Sequence, residues 1–249
     1  MTKAVALGRR VLPRGYSDFG LQLTIWFGFY LTYLGARSLA DRNPATAFWN
    51  GWRVLSFEQR TTHHLIEGTA QQVAQSSHAL ITAAAWTYWN SEFTVVGLAL
   101  LWVYLRHNAR FTRFRNTVLT ANILGLFGYV LWPTAPPWMF TTYFSNGVSH
   151  PNGALAALAN PYAAMPSLHA ADALIVGVFL VSVSKHWWTK VLWALWPAWV
   201  WFCVVATANH FVLDVMAGIV VALVSLVSVP QLHRLVDRYR YRKPAIVLT

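Results

Sequence analysis

The chain has 249 residues, of which 56% are hydrophobic and only 11% are charged, and its formal net charge at pH 7 is +11. A soluble domain of this length keeps about a quarter of its residues charged, so the composition excludes an ordinary soluble protein and indicates lipid as the solvent. The single cysteine, Cys203, excludes an internal disulfide.

Six apolar segments predict membrane-spanning helices, because a helix needs about 17–25 apolar residues to cross the hydrocarbon layer. A shorter apolar piece at 77–89 is either the first half of a broken helix that continues into the second segment or a separate re-entrant piece, and we treat the two as one crossing. The predicted fold is all-α: a polytopic transmembrane bundle of about six spans, forming one integral membrane domain over residues 1–249. The six segments lie at 19–36, 92–105, 117–132, 168–184, 191–208 and 211–228.

Basic residues collect on one side of this six-span arrangement. Fifteen of the 19 Lys and Arg residues fall there, in the N-terminus 1–18, the loop 106–115, the turn 185–190 and the tail 231–249. The positive-inside rule makes that side cytoplasmic, so both termini are predicted to be cytoplasmic. The net charge is therefore a signal of topology and of anionic lipid, and we expect no nucleic-acid partner.

The opposite, outer face receives residues 37–76, residues 133–166 and a short corner at 207–210. Residues 44–76 mix aromatic and aliphatic side chains with polar ones, a pattern that is typical of an amphipathic segment lying in the membrane interface. The stretch "WPTAPPW" at 132–138 is a Pro-rich corner flanked by tryptophans, which favours an interface anchor.

Two histidines, His169 and His210, each stand at the mouth of an apolar run, 41 residues apart. One helical crossing takes about twenty residues, so this spacing is close to one round trip and returns both histidines to the same leaflet. The two helices are joined by the short turn "KHWWTK", which favours neighbouring antiparallel packing. We therefore expect the two histidine side chains to meet on the outer face.

The residues around these histidines predict phosphoryl chemistry. His210 and Asp214 are spaced i, i+4 and share one helix face, so the carboxylate can fix the imidazole tautomer and leave the other ring nitrogen as a nucleophile. His169 can protonate a leaving oxygen, and Ser167 with the free amides of the helix start favours an anion. Two alternatives stay open: a zinc site, and histidines that merely lie at the wet interface.

The motifs resemble those of a known family. "PSLH" at 166–169 and "NHFVLD" at 209–214 are similar to the second and third signatures of the type 2 phosphatidic acid phosphatase superfamily. "WPTAPPW" and the leucine at 168 look most like the branch of inositol phosphorylceramide synthases and their bacterial relatives. The resemblance covers about residues 88–225, which make up nearly all of the predicted catalytic core bundle at 88–228. It implies a bacterial plasma-membrane enzyme.

The resemblance assigns roles at the matched positions. It implies that His210 is the nucleophile that forms a phosphohistidine, that Asp214 orients it, and that His169 is the acid, without a metal or other cofactor. Ser167 would hold the phosphate, Asn209 would join it in substrate binding, and Trp138 would shape the headgroup entrance. The substrate would be a phospholipid or another lipid phosphate.

Two departures from the family pattern bear on the reaction. The arginine of the third signature falls on Val204, and the lookalike of the first signature, Arg106 with Arg113-Phe114, lies in the predicted cytoplasmic loop. Arg53, Arg60 and His64 in the outer segment are the candidates for the missing phosphate contacts. Fewer cations favour transfer of a phosphodiester headgroup; the alternatives are a lipid or polyprenyl phosphate phosphatase and a non-catalytic lipid-binding or transport-associated protein.

Overall fold

A computed structural model describes residues 12–40, 43–145 and 162–242. The predicted basic ends at 1–11 and 243–249, and part of the uncharged outer loop at 146–161, lie outside the described residues. Within the described ranges the chain is helical and has no strand; one isolated β-bridge joins Thr134 and Ala163. The all-α prediction is confirmed for this part of the chain.

The first predicted span and the outer segment form three helices: α1 (Gly15–Ala40), α2 (Pro44–Thr62) and α3 (Ile66–Gln75). The side chain of Asn43 accepts a hydrogen bond from the Thr46 amide and caps α2, while Pro44 occupies the first turn, where its missing N–H costs nothing. Helix α2 ends at His63, whose φ of 58° turns the chain into α3. The amphipathic segment is thus a pair of helices.

The ambiguous apolar piece at 77–89 joins the next segment in one helical run. Helix α4 (His78–Asn90), a π-helical turn (Ser91–Val95) and α5 (Val96–Arg106) follow one another without a gap. The break that the sequence marks at Asn90 to Glu92 is this π turn, which widens the helix and presents the buried side chains of Ser91 and Glu92 inward.

The remaining helices form the centre of the bundle. They are α6 (Asn108–Leu131), α7 (Leu168–Val183), α8 (Trp187–Ala206) and α9 (Val212–Arg242). Helix α7 packs against α6, α8 and α9, and both α3 and α4 lie against α8. The apolar core runs along α5, α6 and α7, with Phe114, Val118, Leu168, Ile175 and Val176 almost fully buried.

The outward faces of these helices are apolar, as a lipid solvent requires. Two described helices, Trp187–Ala206 and Val212–Tyr239, are long and apolar enough to cross a membrane, and only a third of each is buried inside the protein. The outward side chains of α8 and α9 are large and hydrophobic: Leu192, Leu195, Val220, Leu223 and Val227. Exposed apolar surface on this scale marks contact with lipid rather than water.

Candidate active site

The chain between α8 and α9 presents His210 through a tight turn. Ala208 adopts the left-handed conformation with φ of 56°, and its amide donates to the Val205 carbonyl while the Asn209 amide donates to the Val204 carbonyl. These two bonds form a Schellman motif, which ends α8. The next residue, His210, is therefore held at the mouth of the bundle.

Three carboxylates satisfy the first backbone amides of α9. The Phe211 amide donates to Asp214 Oδ2 at 2.8 Å, the Val212 amide to Glu67 Oε1 at 2.9 Å and the Leu213 amide to Glu58 Oε1 at 2.7 Å. A helix start leaves such amides without partners in its own backbone. Asp214 closes its own turn, while the two glutamates reach over from the outer helices. The hydrogen bonds to Glu58 and Glu67 thus hold the start of α9 against the two outer helices.

The His210 ring has a defined orientation. Its Nδ1 lies 2.9 Å from the carbonyl oxygen of Ala164 and 3.6 Å from Asp214 Oδ2, and the two side chains are buried, with 4% and 0% exposure. A carbonyl oxygen can only accept a hydrogen bond, so the proton is on Nδ1 and the Nε2 lone pair is left for chemistry. Ala164 accepts the hydrogen bond, and Asp214 adds its charge at slightly longer range.

His169 lies in the first turn of α7. Ser167 precedes that helix as its N-cap: its Oγ accepts a hydrogen bond from the Ala170 amide at 3.3 Å, and its own amide donates to the Asp214 carbonyl at 2.9 Å. The sequence predicts that the amides at this helix start bind an anion. Two of them, those of Ser167 and Ala170, instead donate to acceptors within the protein. The same bonds join the two sequence motifs through the backbone.

The two histidine rings meet. Their centroids are 5.6 Å apart with an interplanar angle of 57°, so one phosphate group can contact both rings at once. This juxtaposition is what the 41-residue spacing predicts, and it puts a ring with an available Nε2 lone pair beside a second imidazole. A nucleophile and a proton donor on one phosphorus are the minimum for displacement through a covalent intermediate.

Sequence reasoning missed two residues that contact His169. Glu92 Oε2 lies 3.2 Å from His169 Nε2, and the Tyr88 ring stacks on the imidazole with a centroid distance of 4.6 Å and an angle of 17°. Glu92 can accept a hydrogen bond from His169 Nε2 and stabilise the ring when it carries a second proton. A carboxylate inside an apolar segment is costly and usually functional, and that signal was present in the sequence at Glu92.

Asp172, one turn past His169, lies deeper in the same region. It is buried and accepts hydrogen bonds from Asn122 Nδ2 to its two oxygens at 3.0 and 3.1 Å. A small cavity beside it is lined by Glu92, Asn122 and aromatic side chains of α1. Among the described residues, no three His, Cys, Asp or Glu side chains form a group that could hold a metal ion.

Two of the other predicted contact residues bond to the turn that carries His210, and three lie in the outer segment. Asn209 Nδ2 donates to Thr207 Oγ1 at 2.9 Å and so orders the turn, and the Trp138 amide donates to the Ala208 carbonyl at 2.9 Å, which ties the Pro-rich corner to the same turn. The guanidinium of Arg53 lies 5.1 Å from the Trp132 ring centroid. Arg60 and His64 are exposed on the outer helix pair.

The two positions at which the family pattern expects cations are apolar or remote. Val204 is fully buried and packs against Ala170, Val200 and Val215. In the predicted basic loop at 106–115, which is helical from Asn108 onward, Arg110 donates to the carbonyl and hydroxyl oxygens of Ser182 at the far end of α7. Fourteen residues of helix separate Ser182 from Leu168, about 21 Å, so this basic loop lies at the end of α7 opposite to His169.

Gly218 allows α9 to approach the Ser167 turn, and this contact yields a prediction. A Cβ atom at Gly218 would lie 2.2 Å from the Ser167 carbonyl oxygen, a backbone atom that cannot rotate away. Gly218→Ala should therefore separate the two motifs, lower the free energy of unfolding by ~1–3 kcal/mol and reduce turnover at least tenfold. Thermal unfolding and a turnover assay measure the two effects.

The control for this variant is Gly28→Ala on α1, where an added Cβ meets nothing within 4 Å. It should leave turnover unchanged and not lower the unfolding midpoint, because alanine favours a helix over glycine by ~1 kcal/mol. Equal behaviour of the two variants would show that the contact between Gly218 and Ser167 does not matter.

Comparison with known proteins identifies the family. The family model of the PAP2 superfamily matches residues 52–228 of this chain, which include the second half of α2, all of α3, both histidines and Asp214. The chain belongs to the PAP2 superfamily. This confirms the superfamily predicted from "PSLH" and "NHFVLD", whose members include lipid phosphatases and phosphotransferases. The match begins well before residue 88, where the motif resemblance began, so the outer helix pair is part of the family's pattern.

One curated relative of this chain is named as a synthase. Phosphoinositol dihydroceramide synthase of Bacteroides thetaiotaomicron is 26% identical over 162 residues, which cover 55% of this chain and 53% of that protein. The chain therefore spans about half the length of this curated relative. Among solved structures, the crystal structure of Aquifex aeolicus LpxE superposes with a TM-score of 0.51 at 13% identity, covering 66% of this chain and 93% of LpxE. That likeness shows a shared fold.

Proposed function

We propose that this PAP2 superfamily protein is a membrane enzyme that transfers a phospho-alcohol headgroup between lipids through a phosphohistidine on His210. The observation that carries the proposal is the meeting of the His169 and His210 rings at 5.6 Å, with His210 Nδ1 held by Ala164 and Asp214. The relatedness to a phosphoinositol dihydroceramide synthase supports the choice of reaction.

The reaction divides into two displacements at phosphorus. His210 Nε2 attacks the phosphorus of the donor lipid, the bond from phosphorus to the lipid oxygen breaks, and the departing alkoxide takes a proton from His169. In the second step the hydroxyl of the acceptor gives its proton to His169 as its oxygen attacks phosphorus, and the phosphorus–nitrogen bond breaks. The second step returns the proton that the first step uses, and Glu92 stabilises His169 before the first displacement and after the second, when the ring carries that proton.

The charges around the histidine pair favour a phosphodiester over a phosphomonoester. Four acidic residues among those that the structure describes contact the pair or the start of α9: Glu92, Asp214, Glu58 and Glu67. A phosphomonoester carries about −1.5 to −2 charge at pH 7, whereas a diester carries a single negative charge and meets less repulsion. Arg53, Arg60 and His64 on the outer helix pair are the residues that we propose for the remaining phosphate charge.

We also propose the topology that places this site. The bundle has about six spans, both termini face the cytoplasm, and the histidine pair opens to the outer face of a bacterial plasma membrane. The position of Arg110 at the end of α7 opposite to His169 supports this arrangement, because the basic loop is expected on the cytoplasmic side. Helices α2 and α3 then lie in the outer interface, with exposed Phe48, Trp49, Trp52 and Phe57 in contact with lipid.

A product assay tests the transfer reaction. The purified protein in vesicles receives a phospholipid with a labelled phospho-alcohol headgroup, with or without a lipid that carries a free primary hydroxyl. We expect a new labelled lipid only when the hydroxyl lipid is present. Release of inorganic phosphate from phosphatidic acid or a polyprenyl pyrophosphate, without any acceptor, would instead establish the phosphatase alternative.

A further inference from the structure

Two buried glutamates of the outer helix pair bond directly to the catalytic helix. Glu67 on α3 and Glu58 on α2 are 0% and 6% exposed, and they accept hydrogen bonds from the amides of Val212 and Leu213. These amides lie between His210 and Asp214 in the sequence. The position of the proposed nucleophile therefore depends on contacts with residues about 150 positions earlier in the chain.

The second oxygens of the two carboxyl groups share the same situation. Glu58 Oε2 and Glu67 Oε2 are both buried, and neither has a donor among the described residues if both groups are ionised. The two side chains nevertheless lie within hydrogen-bonding contact of each other. Two carboxyl groups in such contact share one proton, since a carboxylate cannot donate.

The acidic groups around Glu58 also favour its protonated form. Asp214 on α9 is the further acidic group close to Glu58, and it carries the charge that accompanies His210. Burial, the contact with Glu67 and the charge of Asp214 together raise the pKa of Glu58 from 4.5 to about 9, although the hydrogen bond from the Leu213 amide opposes this. The pair therefore keeps its proton at neutral pH.

We propose that Glu58 and Glu67 form a one-proton carboxyl pair that positions His210 by holding the start of α9, and that loss of this proton ends activity at alkaline pH. The inference depends on the proposed function for its activity readout. Both glutamates are positioning residues, because they act on the turn that carries His210. Without the shared proton, two adjacent carboxylates would repel each other beside Asp214, and the outer helix pair would release Val212 and Leu213.

The sign of the effect on stability follows from linkage. Between pH 4.5 and about pH 9 the folded protein holds a proton on Glu58 that the unfolded chain has lost, so the free energy of unfolding falls as pH rises through this window. This contribution is fully present below pH 4.5 and is lost once the pH exceeds about 9. Glu58→Gln removes the proton and hence this dependence.

The experiment compares Glu58→Gln and Glu58→Ala in the full-length protein, with Asp237→Asn as the control. Asp237 is an exposed carboxylate on the same helix, α9. Glutamine can accept from the Leu213 amide and donate to Glu67, so Glu58→Gln should recover most of the turnover that Glu58→Ala loses, a loss of at least tenfold in kcat. Wild type and Asp237→Asn should lose about tenfold in kcat per pH unit above pH 9, and Glu58→Gln should not.

Backbone amide hydrogen exchange supplies a readout that does not need turnover. Exchange at Val212 and Leu213 should be slow in wild type at pH 7, faster in Glu58→Ala and restored in Glu58→Gln. An unchanged alkaline limb in Glu58→Gln, or equal exchange in all variants, would overturn the inference. If Glu58→Ala does not fold, the pH profile of Glu58→Gln still decides. Absence of turnover in wild type would count against the proposed function instead, and exchange would still test the pair.

Discussion

Replacement of His210 by alanine should reduce lipid turnover by about 10³-fold or more, because the reaction then lacks the nucleophile of its covalent intermediate. The ring is nearly buried and makes a defined hydrogen bond to Ala164, so its loss removes a positioned group rather than a surface charge. The assay is the transfer of a labelled headgroup to a hydroxyl lipid in vesicles, measured under saturating donor.

The matched control is His186→Ala. His186 is exposed, stacks on Trp188 and lies in the turn between α7 and α8, at the other end of both helices from the site. This variant should keep wild-type turnover. If the turnover of His210→Ala equalled that of wild type across a broad panel of lipid substrates, the proposed catalytic role would be wrong. The non-catalytic, lipid-binding alternative would then be favoured.

Replacement of His169 by alanine should have an effect that depends on the leaving group. With a natural lipid alkoxide as leaving group, turnover should fall about 10²- to 10⁴-fold, the usual contribution of a general acid. With a nitrophenyl phosphodiester the loss in the first displacement should be much smaller, because nitrophenolate departs without a proton. Rapid measurement of nitrophenolate release in the first turnover isolates that step.

His210→Ala serves as the comparison in that experiment, since loss of the nucleophile should slow both kinds of substrate alike. The two variants together separate the roles of the two rings. If His169→Ala lost turnover by the same factor with both leaving groups, His169 would act by holding the phosphate or by stabilising the fold. The role of Glu92 as the partner of a general acid would then be wrong as well.

The sequence predicts that the proposed catalytic histidines meet, because their separation follows from the length of a helical crossing. The 41-residue return between His169 and His210 needs only the rise of a helix and the thickness of a bilayer. The structure places the rings together accordingly. The prediction that His210 and Asp214 share one helix face is less accurate, because His210 precedes α9 and its Nδ1 lies closer to the Ala164 carbonyl, at 2.9 Å, than to Asp214 Oδ2, at 3.6 Å. The break at Asn90 to Glu92 was also visible in the sequence, as polar residues inside an apolar run.

Contacts between distant segments could not be predicted in this way. Glu92 meets His169 across 77 residues, and Glu58 and Glu67 meet Leu213 and Val212 across 155 and 145 residues. No local period encodes such pairings, and they depend on how the outer helices dock on the bundle. Helix ends differ for another reason: α9 continues to Arg242, beyond the predicted end of the span at 228, because backbone hydrogen bonding persists after the apolar pattern stops.

The proposed mechanism requires one phosphoryl group to contact both imidazoles, and a structure of the protein with bound orthovanadate tests this most directly. Vanadate adopts the geometry of a phosphoryl group under attack. We predict a bond from vanadium to His210 Nε2 and a hydrogen bond from the His169 ring to a vanadate oxygen. The mechanism would be contradicted if vanadate formed no bond to His210, or if it were held at a site that His169 does not reach.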